Sequence, residues 1–168
     1  MRFVNAASAL SCLAVLSSVA LAAGESGSTN NIVAACERLV IEYARARDTM
    51  DREGYVDMFT EDGVLMVAGQ HLEGRDAIRE RTNNWPRNYV PRHLMTNIDI
   101  RPVDETTATG VSYVMIIVGE REEGATGPIT VSGFRVMGEY HDEFRLTDDG
   151  WKIARRELTI TFSVAAPE

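Results

Sequence analysis

Apolar and polar residues follow a helical period in the first part of this chain and a strand period in the second. From residue 32 to about 48, apolar residues recur every three or four positions, which predicts the longest helix. Shorter helices are predicted at 53–60, with Asp51 as the N-cap, and from 75 to about 83. Between these two helices, the pattern predicts a turn at 61–63 and a short strand at 64–67.

Beyond Pro91 the pattern becomes that of strands, because a proline ends a helix and favours extended chain around it. A strand begins near Arg92 and carries His93 on its polar face. The opposite, apolar face consists of Leu94, Thr96, Ile98 and Ile100. The next strand, residues 107–119, has apolar residues on both faces and is predicted to be buried on both.

Two long strands complete the pattern. The first covers residues 129–146, and Asp149-Gly150 then forms a tight hairpin turn. In the last strand the apolar positions change face between Ala154 and Glu157, which predicts a bulge there. Helices followed by long antiparallel strands indicate one α+β domain, with a strongly curved, mostly antiparallel sheet packed on the N-terminal helices.

The first residues have the pattern of a secretory signal peptide. Arg2 precedes an Ala/Leu/Val-rich run, and residues 20–22 supply small side chains for cleavage. A transmembrane anchor is the weaker interpretation, because serines interrupt the run and no basic cluster follows it. We therefore expect a signal peptide at 1–22, a flexible polar leader at 23–30 and the folded domain at 31–165. The protein is expected to be secreted or periplasmic.

Charge and cysteine content narrow the possible partners. The net charge of −8 becomes more negative by one when Arg2 is removed, which argues against nucleic acid and, after processing, against membrane surfaces. Only Cys36 would remain in the mature chain, so no intrachain disulfide is expected. Its place on an apolar helical stripe predicts a buried, unreactive thiol.

Three histidines are the main candidates for chemistry. His71 falls in a connection, and His141 lies on a charged strand face, so both are expected to be exposed. With no paired spacing among them a metal site is not expected, and no phosphate loop or nucleophile elbow is present. His93 remains as the candidate general base for a reaction without a cofactor, although the residues alone favour an ordinary strand histidine that is hydrogen-bonded or solvated.

Six short stretches in order resemble a known family. They are YARARDTMD at 43–51, YVDMFTEDG at 55–63, EGRDAI at 73–78, RHLMTN at 92–97, GEYHDEFR at 138–145 and GWKIARR at 150–156. Together they resemble SnoaL-like members of the NTF2-like superfamily, over nearly the whole mature chain. The resemblance implies a cone-shaped α+β barrel and a homodimer or homotrimer. This fold hosts both enzymes and non-catalytic proteins.

The sharper resemblance is to the branch of scytalone dehydratase and hexachlorocyclohexane dehydrochlorinase. It implies a catalytic dyad in which Asp48, at the end of the first helix, orients His93. The chain departs from scytalone dehydratase near Val118 and Val67, where that enzyme has a histidine and a tyrosine. Candidate residues for the substrate pocket are Tyr43, Trp85, Tyr113, Met115, Tyr140 and Phe162.

Two functions are compatible with these residues. The first is a cofactor-independent lyase or isomerase that acts on a small, largely apolar cyclic or polyketide-like compound. The second is an exported binding or accessory module that keeps the cavity without turnover. They differ in whether His93 and Asp48 meet at one cavity.

Overall fold

Helices and strands alternate at the start of the described chain and only strands follow. The computed structural model describes residues 11–164, with side chains from residue 28 onward. The helices are α1 (Ser11–Thr49), α2 (Arg52–Asp57) and α3 (Gly74–Asn83). The strands are β1 (Phe59–Val67), β2 (Gln70–Glu73), β3 (Tyr89–Pro102), β4 (Thr107–Glu120), β5 (Val136–Thr147) and β6 (Gly150–Ser163).

The six strands form one sheet in the order β2-β1-β6-β5-β4-β3. Only the β1–β6 pair is parallel within the described chain, and the other neighbours are antiparallel. Helix α1 packs on β3, β4 and β6, and its buried residues join the inner face of the sheet in one core. The predicted α+β architecture, a curved sheet over N-terminal helices, is confirmed.

The end of α1 has a capping arrangement that fixes where the chain turns. The Asp51 N–H donates to the Ala46 carbonyl at 2.9 Å, and the Met50 N–H donates to the Arg47 carbonyl at 3.5 Å. With Met50 at φ 59°, this is a Schellman cap. Asp51 then accepts a bond from the Gly54 N–H at 3.0 Å, which confirms its role as N-cap of α2.

Strand β3 contains a bulge that corrects the predicted assignment of its faces. Its pairing with β4 shifts between Thr96 and Asp99, and Asn97 between them has φ 49°. Before the bulge, His93 lies on the inward face and Leu94 on the exposed face. After the bulge the alternation is reversed, so that Ile100, on the same predicted face as Leu94, is buried. The sequence pattern placed Leu94 and Ile100 on one face because it assumed an unbroken alternation.

Two bulges bend β6. In its pairing with β5, Phe144 lies opposite Ile153 while Glu143 lies opposite Arg155, so Ala154 is the extra residue. The predicted bulge is therefore confirmed. A second bulge, which the sequence pattern did not indicate, falls at Thr161. Strand β5 also begins at Val136 rather than at residue 129, and residues 121–135 form a connection.

Strand β1 is longer than predicted. It begins at Phe59, and the predicted turn at 61–63 lies within it as an irregular stretch between two registers of pairing with β6. Gly63 permits this bend, since a side chain there would meet the Phe59 Cβ and the Thr60 carbonyl. The predicted helix at 53–60 accordingly ends at Asp57.

The N-terminal segment is only partly described. Residues 1–10 of the predicted signal peptide lie outside the described residues, and so does residue 165 at the end of the predicted domain. Helix α1 begins at Ser11 and includes the leader at 23–30, because the Ala- and Leu-rich residues before the leader favour a helix. Across residues 11–164, no helix has both the length and the apolar character needed to cross a bilayer.

Candidate active site

Asp48 and His93 meet at the contact between α1 and β3. His93 Nδ1 lies 2.6 Å from Asp48 Oδ1. The main-chain N–H of His93 donates to both carboxylate oxygens, at 3.2 and 3.0 Å. The side chain of His93 is 7% exposed and that of Asp48 is 15% exposed, so the pair is largely shielded from water. The carboxylate thus holds both the ring and the backbone of His93.

This contact determines which ring nitrogen is free for chemistry. A carboxylate accepts hydrogen bonds, so it favours the tautomer with the proton on Nδ1 and leaves the Nε2 lone pair free. Asp48 also lies in the last turn of α1, where the helix dipole disfavours a negative charge. The two N–H groups of His93 offset that cost.

Next to His93 lies a cavity of about 230 Å³. It is bounded by α1, α3, the inner face of the sheet and the chain that leads into β5. Its polar lining residues are Tyr43, Arg47, Tyr55, Arg81, Tyr89, His93, Arg135 and Tyr140. Its other lining residues are Val67, Ala68, Pro91, Ile116, Val118, Val136, Leu158 and Ile160. The cavity therefore suits a small molecule with apolar surface and a few polar groups.

Buried tyrosines supply hydroxyl groups at this cavity. Tyr55 and Tyr43 share a hydrogen bond of 2.7 Å between their hydroxyls, and their rings lie 4.7 Å apart. Burial raises the pKa of Tyr55 well above its usual range, and Tyr43 acts in the same direction. Burial likewise raises the pKa of Tyr140. Tyr55 and Tyr140 therefore remain protonated at neutral pH.

A buried ion pair lies beneath two of these tyrosines. Arg156 binds Asp142 through two hydrogen bonds, of 2.7 and 2.6 Å, and both side chains are fully buried. The guanidinium carbon lies 4.1 Å from the ring centre of Tyr43 and 4.5 Å from that of Tyr140. Burial acts to lower the pKa of Arg156, but the Asp142 carboxylate outweighs it, so the pKa is raised.

The six predicted pocket residues divide into three groups. Tyr43 and Tyr140 line the cavity. Trp85 does not line the cavity, which corrects the prediction; it is buried and packs edge-on against Tyr55, with ring centres 5.0 Å apart. The other three are corrected: Tyr113 and Met115 lie on the outer face of β4, and Phe162 follows the Thr161 bulge and is 57% exposed.

Several residues of the site escaped the sequence pattern. Asp142 alternates with Tyr140 and Phe144 on one face of β5, and this position between two apolar residues indicated a buried carboxylate. Arg156 could be placed inward only once the position of the Ala154 bulge was known. Arg47 lies one helical turn after Tyr43, but it was not distinguished from the exposed arginines of the same helix.

The other two histidines lie outside the cavity, and His71 lies in β2 rather than in the predicted connection. His71 and His141 are half exposed, and their Nε2 atoms lie 3.0 and 3.5 Å from carboxylate oxygens of Glu73 and Glu139. Within residues 28–164, no three His, Cys, Asp or Glu side chains converge in a way that could hold a metal ion. Cys36 is fully buried.

Cys36 is expected to be unreactive in the folded protein. Burial, with a smaller contribution from Asp142, raises the pKa of its thiol to about 12, so almost no thiolate exists at pH 8. Labelling with a chromogenic disulfide reagent should therefore proceed only as fast as the protein unfolds, and at once in denaturant. Immediate labelling of the folded protein would contradict this expectation.

Solved structures with the same fold include proteins of unknown and of assigned function. A variant of Rv3472, a function-unknown protein from Mycobacterium tuberculosis, matches with a TM-score of 0.66 and 30% identity, over 79% of this chain and 77% of that chain. A candidate scytalone dehydratase from Novosphingobium aromaticivorans matches with a TM-score of 0.69 and 26% identity, over 85% and 93%. A type 2 hexachlorocyclohexane dehydrochlorinase matches with a TM-score of 0.64 and 17% identity, over 80% and 89%, and shows the fold alone.

These neighbours confirm the resemblance that the six sequence stretches indicated. A comparison with curated proteins gives no match. The profile that describes the SnoaL-like domain matches residues 30–157, which is most of the chain. The protein therefore belongs to the SnoaL-like domain family.

Proposed function

We propose that this protein is a cofactor-independent lyase or isomerase for a small cyclic compound, with His93 as general base and Asp48 as its orienting partner. The observation that carries the proposal is the 2.6 Å contact between His93 Nδ1 and Asp48, beside a cavity that His93 lines. A histidine oriented by a carboxylate has its free nitrogen available to accept a proton. A solved neighbour that is 26% identical, the candidate scytalone dehydratase, supports this reaction class.

The proposed reaction begins when His93 Nε2 takes a proton from a carbon next to a carbonyl or another activating group. In a lyase reaction, the electron pair of that C–H bond forms a double bond as the neighbouring C–O bond breaks. The departing hydroxide takes the proton back from the imidazolium and leaves as water, so His93 is regenerated. In an isomerase, the imidazolium returns the proton to a different carbon. Asp48 stabilises the imidazolium in both cases.

The surroundings of the cavity fit these steps. Tyr55 and Tyr140 keep their hydroxyl protons at neutral pH, so the tyrosine cluster can donate hydrogen bonds to an oxygen of the substrate. The low exposure of His93 limits competition from water. The partner in this proposal is a small molecule, bound by a homodimer or homotrimer.

The test is a screen of cyclic hydroxy-ketones and related compounds with the purified domain in D2O, followed by NMR. We expect conversion, or exchange of one carbon-bound proton for deuterium, without any added cofactor. His93→Gln should slow this reaction by about 10²–10⁴-fold. His141→Gln, a change at a half-exposed histidine outside the cavity, should leave the rate unchanged.

The outcome separates the proposed enzyme from a non-catalytic binding module with the same cavity. Compounds that bind but show neither conversion nor proton exchange would support the binding module. A reaction that His93→Gln leaves at full rate would also overturn the proposal, since the chemistry would then occur elsewhere.

A further inference from the structure

Three arginines line the cavity without a carboxylate partner. Arg47 comes from α1, Arg81 from α3 and Arg135 from the residue that precedes β5. Arginines elsewhere, such as Arg75 and Arg145, form ion pairs with nearby acidic side chains. Among residues 28–164, no Asp or Glu side chain forms an ion pair with any of the three cavity arginines. This is notable in a chain whose net charge is −8.

Arg47 is held in place by contacts that leave part of its donor capacity free. Its guanidinium carbon lies 4.3 Å from the ring centre of Trp85, and its Nη1 donates to Met50 Sδ at 3.1 Å. A thioether is only a weak hydrogen-bond acceptor. The aromatic ring stacks on the guanidinium group and does not accept hydrogen bonds from the N–H groups at its edge. Burial lowers the pKa of Arg47, and the positive charge of Arg81 adds to that lowering, whereas Tyr55, Tyr43 and Asp48 act in the opposite direction.

Arg81 has an unsatisfied donor. Its Nε is buried and has no hydrogen-bond partner among the described residues. Buried donors of this kind are rare in folded proteins, because each lost bond to water costs free energy. An acceptor that came within reach of this N–H would remove the cost.

The electrostatics of the cavity favour one class of ligand. Two partly buried guanidinium groups that repel each other are stabilised by an anion, and Asp48 is already bonded to His93. The planar guanidinium fork matches a carboxylate through two parallel hydrogen bonds. The apolar lining from Ile116, Val118 and Leu158 suits the ring that would carry it.

We propose that the cavity takes an apolar ring compound that bears a carboxylate, with Arg47 and Arg81 as the residues that bind the carboxylate. That this compound is the substrate rests on the function proposed above, whereas its binding by the two arginines does not. The ring then lies among the apolar lining residues, and the carboxylate sets its orientation relative to His93. Arg135, which is exposed, contributes positive charge at the edge of the cavity.

The test compares three acids with their uncharged amides. Benzoate, cyclohexanecarboxylate and 2-naphthoate, and the three matching amides, are titrated into the purified domain by calorimetry at pH 7.5. At least one acid should bind about tenfold or more tightly than its amide. Arg47→Gln and Arg81→Gln should each reduce that ratio about fivefold or more. Arg38→Gln, on the exposed side of the same helix as Arg47, should not change it.

The outcomes are decisive in both directions. If no acid binds more tightly than its amide to the unaltered protein, the proposal is overturned without recourse to any variant. A preference that survives in both cavity variants would overturn it as well. His93→Gln should retain the preference, because the assay measures binding alone. If the protein turns over a substrate but shows no preference for the acids, only this inference fails and the proposed reaction stands. If it prefers the acids but turns over no substrate, the carboxylate site stands and the proposed reaction fails.

Discussion

Asp48→Asn is expected to lower the turnover number of the proposed reaction by about 10³–10⁴-fold while the protein stays folded. The equivalent change in a Ser-His-Asp triad has an effect of about 10⁴. The reason lies in the hydrogen bonds of His93. Asparagine can still accept the main-chain N–H with its oxygen, but its amide group then donates to Nδ1. The ring proton moves to Nε2, which can no longer act as a base.

The measurement has two parts, the kcat for a substrate found in the screen and the tautomer of His93 from nitrogen NMR shifts. Asp51→Asn is the matched control. It makes the same chemical change three residues away, where asparagine caps α2 as well as aspartate does. A variant at Asp48 that keeps more than about a tenth of the activity, or that keeps the proton on Nδ1, would contradict the proposed dyad.

Asp142→Asn should destabilise the protein by about 3–5 kcal/mol, because it leaves the buried charge of Arg156 without a counter-charge. For a domain of this size, that corresponds to a fall in Tm of about 6–20 °C. Urea unfolding followed by circular dichroism gives the free energy directly. The rings of Tyr43 and Tyr140 pack on Arg156, so the near-ultraviolet signal of the tyrosines should change as well.

Two further variants separate the ion pair from its surroundings. Glu143→Gln, at the next residue on the exposed face of β5, should change stability by about 0.5 kcal/mol or less. Combining Asp142→Leu with Arg156→Met should recover much of the loss, since a buried ion pair replaced by apolar side chains leaves no uncompensated charge. An Asp142→Asn protein as stable as the unaltered one would show that Arg156 finds another partner.

The fold could be predicted because its periodic signals agree with one another. The helical stripe of α1, the Asp51 cap and the parity change around Ala154 each have a local cause that the sequence displays. The Asn97 bulge was missed, because the residues on its two sides happen to continue an apparent alternation. The Thr161 bulge was missed because it comes near the strand end, where few apolar residues follow it.

The candidate site could be predicted only in part, because its residues come from elements whose inward faces the sequence did not fully define. Asp48 and His93 were singled out from the helix end, the strand start and the family resemblance. Strand β4 has apolar residues on both faces, so the sequence could not show that Val114, at 1% exposure, faces inward and Tyr113, at 37%, faces outward. The cavity arginines depend on how α1, α3 and the segment before β5 approach one another, which no single stretch encodes.

The Asn97 bulge divides β3 into a part that lines the cavity and a part that packs in the core. Pro91 and His93, before the bulge, line the cavity, whereas Ile98 and Ile100, after it, pack in the core. Because the extra residue absorbs the change of face, the cavity-lining positions of the first part can vary without changing which residues of the second part face the core. New ligand preferences can therefore evolve along the first part of the strand, while the second part preserves the stability of the domain.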